Sequence, residues 1–213
     1  MTIQGDEAPA EDQGECEPLR VAFEGELPSQ IADARSLVLD FEFARNCALL
    51  YQNLDNVSID EPSQEVPQQA LWSAAAISYR RGFSTGKALL QPQAKRLKVP
   101  DNWLNLLSPE QREAHAEILE VASRQVAHQT GHAEHVRVIA LLSPPPMPRD
   151  VMGLLKFTVK RTGPTADRIQ KVVELCDVLL LILSEQEQKL GEQLIGAIKA
   201  KGLDEVYASP HFE

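Results

Sequence analysis

Arg124 and His128, one helical turn apart, are the pair in this sequence best placed to do chemistry. Their i,i+4 spacing puts a guanidinium and an imidazole on one helix face. The guanidinium neutralises phosphate charge, and the imidazole titrates near neutrality and can move a proton. His132, Glu134 and His135 follow closely and have the residue types of metal ligands. Gly131 interrupts the helix between them, however, and removes the i,i+4 geometry a metal would need. The cluster therefore has three readings: a cap favoured by the helix dipole, a phosphate or RNA site, and a metal site. No metal and no cofactor are expected. His115 lies thirteen residues before His128, about 20 Å along the axis and roughly 140° around it, so the two cannot share a site within one helix.

A second chemical feature is charge. Arg80, Arg81, Lys87, Lys95, Arg96 and Lys98 fall within nineteen residues that contain no Asp or Glu. Such a segment is either a solvated surface or a nucleic-acid-binding patch, because charges act over about 10 Å in salt. It stands out in a chain of net charge −10. The acidity is concentrated at the start, where residues 1–26 carry eight acidic groups and one basic group. Residues 1–17 are also nearly free of large apolar side chains, so an acidic disordered tail is expected over 1–26.

The elements that must position these residues are mainly helical. Ile31, Ala34, Val38, Phe41, Ala44, Ala48 and Tyr51 recur at spacings of three and four, predicting a helix from about Ser29. Asp40 and Glu42 lie on separate faces of it and read as solvated. Residues 53–67, with turn formers and two prolines, read as a connection. A second helix is predicted from Pro67 to Leu90, although Gly82 and Gly86 each weaken it by about 1 kcal/mol relative to Ala; such glycines mark close packing or a bound group. A central helix over Ser108–Thr130 has Ser108 as N-cap, Pro109 in its first turn and Gln111 at capping-box spacing. His135–Leu142 and Leu154–Arg161 read as strands, separated by the exposed connector SPPPMPRD. They are expected to form a hairpin packed against the helices, since an isolated pair is unstable alone. A closing helix spans Thr165–Ala200, with Ile169, Val172, Val173, Cys176, Leu179, Leu180, Leu183, Leu190, Leu194 and Ile198 as its stripe.

Two blocks resemble HEPN-type helical proteins, in particular bacterial members of unassigned function. Trp72, Tyr79, Arg81, Phe83 and Lys87 match the first block. His115, Ala127 and His128 match the second, an early His and a terminal Ala-His on one helix. The resemblance covers roughly residues 30–200. It implies a helical bundle and a metal-independent ribonuclease of a toxin or defence system, with Arg and His pairs from two chains meeting at a dimer interface. The His would act on the 2′-hydroxyl reaction, and the Arg would stabilise phosphate charge. Where relatives carry Arg-Asp, this chain has Ala122-Ser123, with Arg124 as the nearest cation. The activity implied is therefore a weak or lost one.

The expected fold is thus a mainly α, HEPN-like helical bundle over 27–204. It has a small β hairpin near 135–161, a disordered acidic N-terminal tail and a C-terminal tail over 205–213. The longest apolar run, Val178–Leu183, is far short of the roughly 20 residues that cross a bilayer, so no membrane partner is expected. Cys16, Cys47 and Cys176 are scattered and odd in number, which fits free thiols in a reducing cytoplasm. Cys47 and Cys176 fall on apolar helix faces and read as core. Two functions follow: an RNA-directed HEPN-like protein, or a non-catalytic helical interaction module that acts as a homodimer and meets a protein partner through its acidic arm.

Overall fold

A computed structural model describes residues 18–55, 61–91, 93–126, 134–160 and 163–208 of the chain. The acidic stretch 1–17 lies outside the described residues, and residues 18–24 have no regular structure. Helix α1 spans Glu26–Asp55 and helix α2 spans Glu61–Arg81. A short 3-10 turn over Asp101–Leu106 leads into helix α3 at Pro109–Glu120. The chain then widens into a π-helical segment, Val121–Val126. Strands β1, Glu134–Leu142, and β2, Val151–Lys160, follow. Helix α4 runs over Ala166–Lys201, and a short helix α5 covers Leu203–Tyr207.

Most of the helical stripes read from the sequence lie in the core, joined by Leu37, while Ile31, Leu194 and Ile198 are only partly buried. Leu37, Val38, Phe41, Ala44, Cys47, Ala48 and Tyr51 of α1 are buried against Ile169, Val172, Cys176, Leu179 and Leu183 of α4. The ion pair Arg45–Asp177 and the hydrogen bond Gln52–Gln170 advance in opposite directions, so α1 and α4 are antiparallel. Helix α2 closes a third side, with Trp72, Ala75, Ala76 and Tyr79 buried, and α3 a fourth, through Ala114 and Ile118. Ser108 caps α3 as its sequence predicts. Its hydroxyl accepts from the Gln111 amide while the Gln111 side chain accepts from the Ser108 amide. Thr165 caps α4 by accepting from the Arg168 amide.

Three sequence expectations change. Helix α2 starts at Glu61, inside the predicted connection; Pro62 falls in its first turn, where a missing N–H costs nothing, while Pro67 lies within the helix. It also ends at Arg81 rather than Leu90. Gly82 turns the chain so closely beneath Phe41 that a Cβ there would enter the ring. From there the backbone forms turns and cross-loop bonds of its own, and two of its amides, Leu89 and Leu97, bond to Asp33 of α1. Finally, among the described residues the middle of the hairpin does not pack on the helices. Its strands pair antiparallel from Glu134↔Lys160 to Leu142↔Val151, with an irregularity at Leu141/Leu142. All of 137–142 is exposed, as are Val151, Met152, Leu154, Leu155 and Phe157. The inward stripes of α1–α4 are already satisfied by one another, which leaves the sheet no core face to cover.

Candidate functional site

The end of α2, the loop after it and the start of the π segment converge on one place. Asp33 and Asp40, two turns apart on α1, hold the loop. Asp33 is almost fully buried, and its two carboxylate oxygens accept from the backbone amides of Leu89 and Leu97, each at 2.9 Å. Asp40 accepts from Arg81 Nη1 at 2.9 Å and from Arg96 Nη2 at 3.2 Å, and Arg96 also donates to Ser36. Asp40 is therefore a buried counter-charge and not the solvated residue its sequence context predicts. The loop closes on itself through a bridge between Lys87 and Lys95 and through the Arg96 amide bonded to the Gly86 carbonyl.

Beneath this loop the aromatic residues gather. Tyr79, Phe83 and Trp103 meet the imidazole of His115 edge-on, with Phe83 stacked on Trp103 at 5.5 Å between ring centres and Phe41 edge-on to Tyr79 and Phe83. The Tyr79 hydroxyl lies 2.8 Å from His115 Nδ1. Burial, with a smaller push from Cys176, raises the Tyr79 phenol well above its usual range, and burial lowers the His115 imidazole. A phenol that keeps its proton beside a neutral imidazole gives a neutral hydrogen bond between the Tyr79 hydroxyl and Nδ1, whose direction follows the imidazole tautomer. Buried this way, the pair locks α2 to α3. Burial also raises the Cys47 thiol and pushes Cys176 up to about 12, the latter reinforced by Asp177, so both behave as core residues.

Arg80, Phe83, Ser84, Thr85, Leu119 and Ser123 line an open cavity of about 450 Å³. Its wall has one cation, three hydroxyls and no carboxylate, which suits an anion. Arg80 makes no ion pair with any described residue.

The six predicted nucleic-acid-binding residues therefore divide. Arg81 and Arg96 share Asp40, and Lys98 pairs with Asp101 at 3.4 Å. Arg80 lines the cavity, while Lys87 and Lys95 stand side by side on the exposed bridge. Half of the basic run is thus compensated by carboxylates that its own sequence does not contain. For the catalytic pair, the backbone of Arg124 belongs to the π segment. Its side chain and the whole of His128 lie outside the described residues, as does His132. Among the described residues, no group of three or more His, Cys, Asp or Glu side chains could hold a metal ion. Nor is any helix among them long and apolar enough to cross a membrane.

Sequence reading missed the Asp33–Asp40 clamp and the aromatic cluster. Both left traces: the two acids are seven residues apart on an otherwise apolar face, and the cluster takes four of the chain's eleven aromatic residues. No protein-family model, no curated protein and no solved structure matches the chain.

Proposed function

We propose that this protein is a non-catalytic helical interaction module that works as a homodimer, with the β1–β2 hairpin as its docking arm. One observation carries the reading: the hairpin bears Val138, Ile139, Leu142, Leu154, Leu155 and Phe157 exposed, between 44% and 67% of each. A two-stranded hairpin is marginal in water unless a face is covered, and monomeric proteins rarely expose apolar patches beyond a few hundred Å². Such an arm is built to be covered by another chain. The test is light scattering after size exclusion. A dimer is expected at micromolar concentration. Replacing the cross-strand pair Ile139 and Leu155 by Glu is expected to give a monomer of unchanged helical circular dichroism. A wild-type chain that stays monomeric at 100-fold higher concentration overturns the proposal.

A second reading, an RNA-directed HEPN-like protein with metal-independent ribonuclease activity, draws support from the anion-suited cavity. Ser123 on its wall is the residue before Arg124. It predicts RNA cleavage in the presence of a chelator, abolished by His128→Ala without a change in melting. Cleavage that survives this substitution removes it.

A further inference from the structure

We infer that the seat for the arm is the outer face of α1 and α2 on the second copy, so that two copies exchange hairpins reciprocally. This rests on the homodimeric reading and adds which surfaces meet. Leu39, Phe43 and Leu50 are exposed on α1 at spacings of four and seven, within about 40° of one another around the helix and on the side away from the core. On α2, Val66, Ala70 and Ile77 form a matching exposed stripe. The contacts Phe41–Tyr79 and Asp40–Arg81 fix the register of the two helices and bring Phe43 level with Ile77. Together the stripes offer apolar side chains that no described residue covers.

Charge selects this seat over the alternative of arm on arm. Residues 134–160 carry Arg137, Arg149, Lys156 and Lys160 against Glu134 and Asp150, a net of +2 in a chain of −10. On α1, Asp33 and Asp40 are buried and answered by the loop and Arg45 pairs with Asp177, so the described charges it exposes are Glu26 and Glu42 against Arg35, a net of −1. Two arms stacked together would oppose like charges, whereas an arm on α1 meets opposite charge. The match extends to single positions. Arg137 faces Phe157 across the strands, on the same sheet face as Ile139 and Leu155. Glu42 is exposed beside Phe43.

Size agrees as well. Strands of nine and ten residues reach about 30 Å, enough to overlie the roughly 17 Å between Leu39 and Leu50. One arm face and one seat offer on the order of 1,000 Å², and reciprocal exchange doubles this, above the 1,200 Å² or so of a stable specific interface. An arm-on-seat contact closes at two copies only when it is reciprocal.

The experiment uses two full-length variants with one added cysteine each, Phe43→Cys and Leu155→Cys, both carrying Cys16→Ser; Cys47 and Cys176 are buried and stay. After subunit exchange, a short bismaleimide is expected to join the two variants when mixed and neither one alone. Phe43→Asp and Ile77→Asp, at exposed sites, are each expected to raise the dimer dissociation constant roughly tenfold or more with circular dichroism unchanged. Cross-linking of Leu155→Cys with itself means that arm meets arm, and overturns the seat while the homodimer stands. A dimer indifferent to both aspartates does the same. A monomeric wild-type chain overturns the homodimeric reading itself, and the seat with it.

Discussion

The junction of α1, α2 and the 82–100 loop and the β1–β2 hairpin are made of similar apolar residues with opposite fates. At the junction Phe41 is fully buried and Gly82 gives way to its ring, while the loop amides of Leu89 and Leu97 find the Asp33 carboxylate. In the hairpin Phe157 is half exposed, and the ladder satisfies only the backbone between its two strands. Hydrophobic burial depends on a covering partner and not on residue type. The junction has that partner within the chain. The described residues supply the arm with none.

The most forceful way to break this comparison is to truncate one aromatic ring in each region. Phe41→Ala is expected to cost about 3–5 kcal/mol in urea unfolding followed by helical circular dichroism. Phe157→Ser, at concentrations dilute enough to keep monomers, is expected to stay within about 0.5 kcal/mol of wild type. Equal effects would mean that the arm belongs to the core. A middle-sized effect sharpens the junction further: Asp33→Ala strands two buried amides and is expected to cost about 2–4 kcal/mol. Hydrogen exchange at Leu89 and Leu97 should rise with it, and protection that persists there would refute the clamp.

The smallest effect concerns protons. Burial lowers the His115 imidazole, so on acidification the unfolded chain takes up this proton before the folded one does. Its contribution is complete at pH values above the ordinary histidine range and is lost as pH falls through about 6.5. Unfolding free energy measured between pH 8 and 5 should decline with acid, and His115→Gln should flatten that decline. A slope unchanged in the variant would place the titration elsewhere.

Much of the fold was legible because it rests on local rules. The 3.6-residue stripes of α1 and α4 marked the core, Ser108 with Gln111 marked the start of α3, and alternation with β-branched residues marked both strands. The candidate site was legible only in pieces. Asp33 and Asp40 are separated from the amides and guanidiniums they bind by 41 to 64 residues, and no spacing rule spans that distance. For the same reason the basic run read as one patch, when Arg81 and Arg96 are answered by Asp40 of α1.

By itself, the sequence determined which segments are helix and strand and which helix faces are apolar, since periodicity and capping act within a few residues. Only the tertiary structure decided where α2 ends, which cations keep a free charge and that the hairpin lies uncovered. Each of these depends on what stands opposite a side chain in space, and chain order does not encode that locally.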